Sequence, residues 1–206
     1  MGAENKLLLP FGDATIFETT LGHIQSAHSI ILDKIVVVLG HEADLICPCL
    51  EKYKPLRGTV NRMMTIKNMG YESGMTTSIQ AGLHILNTYY NSTKSERNTE
   101  GGYMICLSDM PLISAEEYTY LAHQFADFYK KDKRAIVQPT YQGQRGNPTI
   151  FSKKYKDNIL HLDYMEGCKP IVQANQNHVY LVEMPTPSVL RDADTPEAYA
   201  QLLALA

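Results

Sequence analysis

At 206 residues, 44% hydrophobic and 20% charged, the chain has the size and balance of one globular domain with a sizeable core. Its 19 lysines and arginines against 22 aspartates and glutamates give a net charge of −3, which removes the electrostatic basis for holding a polyanion, so no nucleic acid is expected as partner. No run nears the roughly 20 apolar residues that span a bilayer and Met1-Gly2-Ala3-Glu4-Asn5-Lys6 lacks the layout of a signal peptide, so no membrane is expected and a cytoplasmic setting is the simplest reading.

Thr15 to Leu32 reads as a helix, with Ile16, Leu21, Ile24, Ala27 and Ile31 near helical spacing. Ile35 to Leu39 is a short β-branched run stopped by Gly40, as a buried parallel strand should be. A helix follows from Glu42 to Tyr53, then a strand from Met63 to Lys67 and a helix from Ser73 to about Tyr89. Asn91 to Gly102 is a polar surface loop. Tyr103 to Leu107 is the next buried strand, and Ser114 with Glu117 forms a capping box for a helix reaching Tyr129. Ala135–Gln138 and Thr149–Phe151 are short strands, followed by a helix from Gly167 to Gln176 and a strand from His178 to Glu183. Thr195 caps a last helix with Pro196 at its first position. This alternation predicts one α/β domain over residues 1–206, an open and mostly parallel sheet with helices on both faces.

Cys47, Cys49, Cys106 and Cys168 lack metal-site spacing and read as ordinary thiols. Ligands of open α/β sheets collect at the carboxyl ends of strands, which draws attention to Asp109, just past an apolar strand and stiffened by Pro111. It reads either as a turn cap or as a ligand-facing carboxylate. Asp192, Asp194 and Glu197 crowd the start of the last helix, where the dipole favours negative charge. Asp109 with Asp194 would equally supply the one or two carboxylates that hold Mg²⁺ beside substrate phosphates. Asn68 to Ser78 lies between a strand and a helix, with Gly70 and Gly74 permitting close backbone approach to a ligand. Gly143 to Pro148 could be only a hairpin with Arg145 as its solvated tip.

Taken in order, Lys6-Leu7-Leu8-Leu9-Pro10, Gly74-Met75-Thr76-Thr77-Ser78-Ile79-Gln80-Ala81-Gly82-Leu83, Asp109-Met110-Pro111, Gly143-Gln144-Arg145-Gly146-Asn147-Pro148 and Asp192-Ala193-Asp194-Thr195-Pro196 resemble the molybdenum cofactor cytidylyltransferases, within the MobA-like nucleotidyltransferases. The resemblance runs nearly end to end. It implies a Rossmann-like nucleotidyltransferase fold in which a molybdopterin phosphate attacks the α-phosphorus of CTP and displaces pyrophosphate, a reaction run by positioning and charge neutralisation. It also implies that Asp109 and Asp194 hold Mg²⁺ and that Lys6 neutralises phosphate charge, making Lys6 and Asp109 the catalytic pair. Asn68, Gly74 and Ser78 would line the nucleotide site with them, while Arg145, Gly146, Asn147 and Lys169 would face the pterin. A molybdenum hydroxylase apoenzyme would be the downstream partner.

The family's opening strand and its Leu-Ala-Ala-Gly-x-Ser-x-Arg loop have no counterpart before Met1-Gly2, which implies a true start further upstream and weak or no turnover for the chain as written. The lost strand belongs between those matching Ile35–Leu39 and Tyr103–Leu107, so both should be left with an unpaired edge. The family's Gly-Asp-x-Gly-Ala-Arg is matched by Tyr164-Met165-Glu166-Gly167-Cys168-Lys169, with Met165 for the carboxylate, unless Glu166 substitutes, and Lys169 for the arginine. Base choice stays open. So do two other readings: guanylyl or sugar-phosphate nucleotidyl transfer, and a non-catalytic accessory protein that carries the cofactor to a hydroxylase.

Overall fold

A computed structural model describes residues 5–27, 32–53, 62–93, 100–163, 165 and 167–205. A 3-10 turn at Lys6–Leu8, capped by the Asn5 side chain, leads into a small antiparallel pair, β1 (Pro10–Phe11) and β2 (Ala14–Thr15). Helix α1 (Ile16–Ser26) starts on a full capping box between Thr15 and Glu18. It ends earlier than its periodicity suggests: Ala27 is already extended, and the expected continuation through Ile31 lies outside the described residues. β3 (Ile35–Leu39) follows as predicted. The helix expected over Glu42–Tyr53 is instead a single α-turn, α2 (Ala43–Ile46), continued as 3-10 from Cys47 to Tyr53. Pro48 has no N–H to donate, so the α ladder cannot run through it.

β4 (Met63–Lys67) pairs parallel with β3 in register, Ile35 opposite Met63 and Leu39 opposite Lys67. Helix α3 (Met75–Ser92) lies against that pair. β5 (Gly102–Ile105) stops two residues short of the expected Leu107. α4 (Ala115–Lys131) carries the capping box read from Ser114 and Glu117, whose side chain and amide bond reciprocally. β6 (Ile136–Tyr141) turns through Gln142 and Gly143, both at positive φ, into β7 (Gln144–Arg145), so the hairpin reading of this stretch holds. β8 (Thr149–Ser152), α5 (Lys156–Leu160), α6 (Lys169–Ala174), β9 (Val179–Glu183) and α7 (Pro196–Leu203) complete the chain.

The fold is α/β, but its sheet is mixed rather than mostly parallel. β6 pairs parallel with β9, while β8 runs antiparallel to both β5 and β6. The β6–β7 turn reverses the chain, and the few residues from there to β8 leave no length for a crossover that would restore direction. Among the described residues, no strand joins the β3–β4 pair to the larger sheet; β3 pairs with β4 and β5 with β8. Among the described residues β3 and β5 each pair on one side only, and so do β4 and β9.

Apolar burial explains how the termini meet. Phe11, Ile16, Ala193 and Leu202 form one buried cluster, with Leu7, Leu9, Leu112 and Tyr199 packed on it. This draws the N-terminal turn, the loop after β5 and the start of α7 to one place. Tyr199 Oη adds a 2.7 Å hydrogen bond to the Pro10 carbonyl. No helix among the described residues is long and apolar enough to cross a membrane.

Candidate active site

Asp109 follows β5 on a loop whose next residues anchor it. Met110 and Ile113 are buried in the main core, and His23 Nδ1 bonds the Ile113 carbonyl at 2.9 Å. The Asp109 carboxylate is itself buried. Lys6 Nζ donates to its Oδ2 at 2.5 Å and also to Asp194 Oδ1. One ammonium thus bridges two carboxylates from opposite ends of the chain. Burial alone would lower the Lys6 pKa, but the hydrogen bonds and charges of Asp109 and Asp194 outweigh it and raise it.

The remaining oxygen of this pair is informative. Asp109 Oδ1 is buried and has no hydrogen-bond partner, a costly state for a carboxylate oxygen. Asp194 is mostly exposed, its side chain 64% accessible. Asp192 accepts the Asp194 amide at 3.3 Å and so fixes the backbone that presents Asp194. A hard divalent cation needs oxygen donors and commonly takes only one or two from protein carboxylates, and this donor set fits. Among the described residues no cluster of three or more metal-ligating side chains exists; any ion here would rely on substrate or water for its other ligands.

Asn68 ends β4 and organises the loop beyond it. Its Oδ1 accepts the Gly70 amide at 3.0 Å, and its Nδ2 donates to Thr77 Oγ1 at 2.9 Å and Ser78 Oγ at 3.0 Å. Both side-chain polar atoms of Asn68 are therefore committed within the protein, and with them the Ser78 hydroxyl is drawn toward the loop. Gly74 caps α3 without any side-chain cap. Its φ of 101° disfavours other residues, and a Cβ there would lie 2.6 Å from the Met165 carbonyl oxygen. The first amides of α3 have no side-chain cap, and Met165 packs closely against Gly74.

Arg145 and Lys169 come together on a cleft of about 250 Å³, with Met75 of α3 and Ile105 at the end of β5 also in its wall. Asp109 lies four residues beyond Ile105. Gly146 and Asn147, expected on the same side, act differently. Gly146 N bonds the Pro139 carbonyl and Asn147 N the Val189 carbonyl, and a Cβ on Gly146 would sit 2.2 Å from the Val189 oxygen. They hold the hairpin that presents Arg145. Within the segment Tyr164–Lys169, Tyr164 and Glu166 lie outside the described residues, while Met165 is largely exposed. Neutral side chains that complete the cleft, Gln138, Thr149 and Gln173, had no motif to mark them, since they come from three separate elements. All four cysteines are free thiols; burial pushes those of Cys106 and Cys168 up to about 12.

Comparison with known proteins bears on the fold and the family. A search of curated proteins finds no match. Among solved structures, a nucleotidyl transferase from Methanothermobacter superposes with a TM-score of 0.71 at 17% identity, covering 97% of this chain and 84% of that one. A cytidylyltransferase from Leptospira borgpetersenii gives 0.62 at 19% identity, covering 97% and 78%. Rv0371c of Mycobacterium tuberculosis, solved in complex with manganese, gives 0.62 at 20% identity, covering 98% and 92%. These likenesses establish the nucleotidyltransferase fold. The family model for the MobA-like NTP transferase domain matches residues 1–179, most of the chain, and the protein belongs to that family.

Proposed function

We propose that this member of the nucleotidyltransferases transfers CMP from CTP to the terminal phosphate of molybdopterin. An acceptor phosphate oxygen attacks the α-phosphorus of the nucleotide, the bond from that phosphorus to the bridging oxygen breaks, and pyrophosphate leaves. The observation that carries the reading is the convergence of Asp109 and Asp194 on a single cation position, with Asp109 Oδ1 left unpartnered. Mg²⁺ held by these two carboxylates would neutralise triphosphate charge and favour in-line geometry.

The protein's own groups supply the rest. Lys6, a flexible point cation, neutralises phosphate charge once its carboxylate partners are otherwise engaged. The uncapped start of α3, with Gly74 at its head, offers backbone amides to an anionic group. Asn68 shapes that loop through its bonds to Gly70, Thr77 and Ser78. Arg145 and Lys169 receive the acceptor in the neighbouring cleft. A molybdenum hydroxylase apoenzyme would take the product.

Pyrophosphate release with Mg²⁺, CTP and molybdopterin tests the reading. Release should depend on molybdopterin and vanish in Asp109→Ala. Equal release with GTP, or with a sugar phosphate as acceptor, would redirect the reading to a sibling transferase. Cofactor binding without any nucleotide binding would mark a carrier instead.

A further inference from the structure

The capping box at the start of α4 uses only half of the Glu117 carboxylate. Its Oε2 accepts the Ser114 amide at 2.9 Å, and Ser114 Oγ accepts the Glu117 amide at 3.2 Å. Those two bonds complete a capping box. The other oxygen, Oε1, accepts the Thr186 hydroxyl at 2.6 Å and the Ser188 hydroxyl at 2.8 Å. These donors belong to the 3-10 turn Pro187–Leu190 and the residue that caps it, 69 and 71 positions along the chain. Glu117 and Ser188 are both buried.

The two segments joined this way lead to the two carboxylates of the candidate active site. Asp109 stands five residues before Ser114, and Asp194 six residues after Ser188. Apolar contacts also hold the segments together, through Ile113 and Val189 in one cluster and Leu112 and Ala193 in another. Such contacts are non-directional and leave room for sliding, whereas hydrogen bonds converging on one carboxylate fix a position. The turn passes that constraint on. The Ser188 carbonyl accepts the Arg191 amide at 3.2 Å, three residues before Asp194, and the Val189 carbonyl accepts the Asn147 amide at 3.0 Å.

We propose that Glu117 is a positioning residue for the Asp109–Asp194 pair, its carboxylate locking the Pro187–Leu190 turn onto the start of α4 and so setting the separation of the two loops that carry the pair. The proposal rests on the transferase reading for what the pair does, but its first measurement does not. In metal-free protein, amide exchange followed by NMR should show the Arg191 and Asn147 protons exchanging at least about ten-fold faster in Glu117→Ala than in the wild type, relative to the β6 amides that report global opening. Ser114→Ala weakens the cap and keeps the tie, so it should lower the melting temperature and leave that ratio unchanged. Mn²⁺ titration followed by electron paramagnetic resonance then reads the pair itself. Glu117→Ala should bind Mn²⁺ about ten-fold more weakly, the lower end for groups that orient metal ligands. Ser114→Ala should match the wild type, and so should Glu117→Gln, whose amide can replace both sets of hydrogen bonds. Ser188→Ala deletes one tie in a milder change; it should act in the same direction and add nothing in a Glu117→Ala background. If Glu117→Ala does not fold, Ser188→Ala decides alone. Unchanged exchange, wild-type Mn²⁺ affinity despite faster exchange, or a Ser114→Ala that loses as much Mn²⁺ affinity as Glu117→Ala overturns the proposal. Faster exchange in a protein whose wild type binds no Mn²⁺ would leave the tie standing and remove the transferase reading instead.

Discussion

Lys6 and Asp109 lie 103 positions apart in sequence and meet at 2.5 Å. The same ammonium reaches Asp194, so it sits between the two carboxylates proposed to hold the divalent cation. Two carboxylates gathered this closely repel unless a cation sits between them. Lys6 fills that role and would compete with an incoming ion.

Removing that competitor should separate its two effects. Lys6→Gln is expected to bind Mn²⁺ several-fold more tightly than the wild type in calorimetry without nucleotide. Its metal-free form should melt at a lower temperature, and saturating Mn²⁺ should restore most of the difference. Weaker Mn²⁺ binding in Lys6→Gln would mean that the lysine assists the ion rather than displacing it.

Asn68 makes three side-chain hydrogen bonds, two to Thr77 and Ser78 of α3 and one to Gly70 in the loop between β4 and α3. Asn68→Ala should destabilise the fold by about 2 kcal/mol, within the range for leaving buried polar groups unpaired. Nucleotide affinity should fall with it, because the loop ahead of α3 loses its shape. A variant with full stability and reduced nucleotide affinity would instead indicate direct contact with nucleotide.

The Gly146 Cα faces a backbone oxygen with no room to yield, since a Cβ would lie 2.2 Å from the Val189 carbonyl. Gly146→Ala should force the β6–β7 hairpin off the Pro187–Leu190 turn, at a cost of about 2–3 kcal/mol. A lowered urea midpoint together with weaker phosphate binding at Arg145 is the expected pair of readouts. An unchanged midpoint would show that the hairpin moves freely.

Local signals carried much of the fold into the sequence. The Ser114–Glu117 and Thr195–Pro196 patterns sit where capping chemistry requires, and both helices start there. The β3 run was recognisable because β-branched residues between turn signals have few alternatives. Pairing direction was not recognisable, because it depends on where β8 can reach after a tight turn rather than on its own composition. The Lys6, Asp109 and Asp194 grouping came from motif order; its physical cause, the shared apolar packing of Leu7, Leu112 and Ala193, involves residues that look like any other core positions. Gln138 and Gln173 stayed hidden for the converse reason. A neutral amide on a strand or a helix looks like surface until the cleft wall is assembled.

Asp132 offers a pH test away from the candidate active site. Burial alone would raise its pKa, but hydrogen bonds from His178, the Arg134 amide and Tyr180 outweigh that and hold it below the ordinary carboxylate value. A carboxyl group whose folded pKa is depressed stabilises the native state above its unfolded pKa, and that contribution is lost as pH falls through the folded one. Asp132→Asn should therefore be less stable than the wild type at pH 7, and the gap should shrink as pH drops below about 4. Urea unfolding of both proteins between pH 7 and pH 3 measures it. A gap that stays constant over this range would mean that Asp132 stabilises through its shape and neutral hydrogen bonds, with its charge contributing nothing.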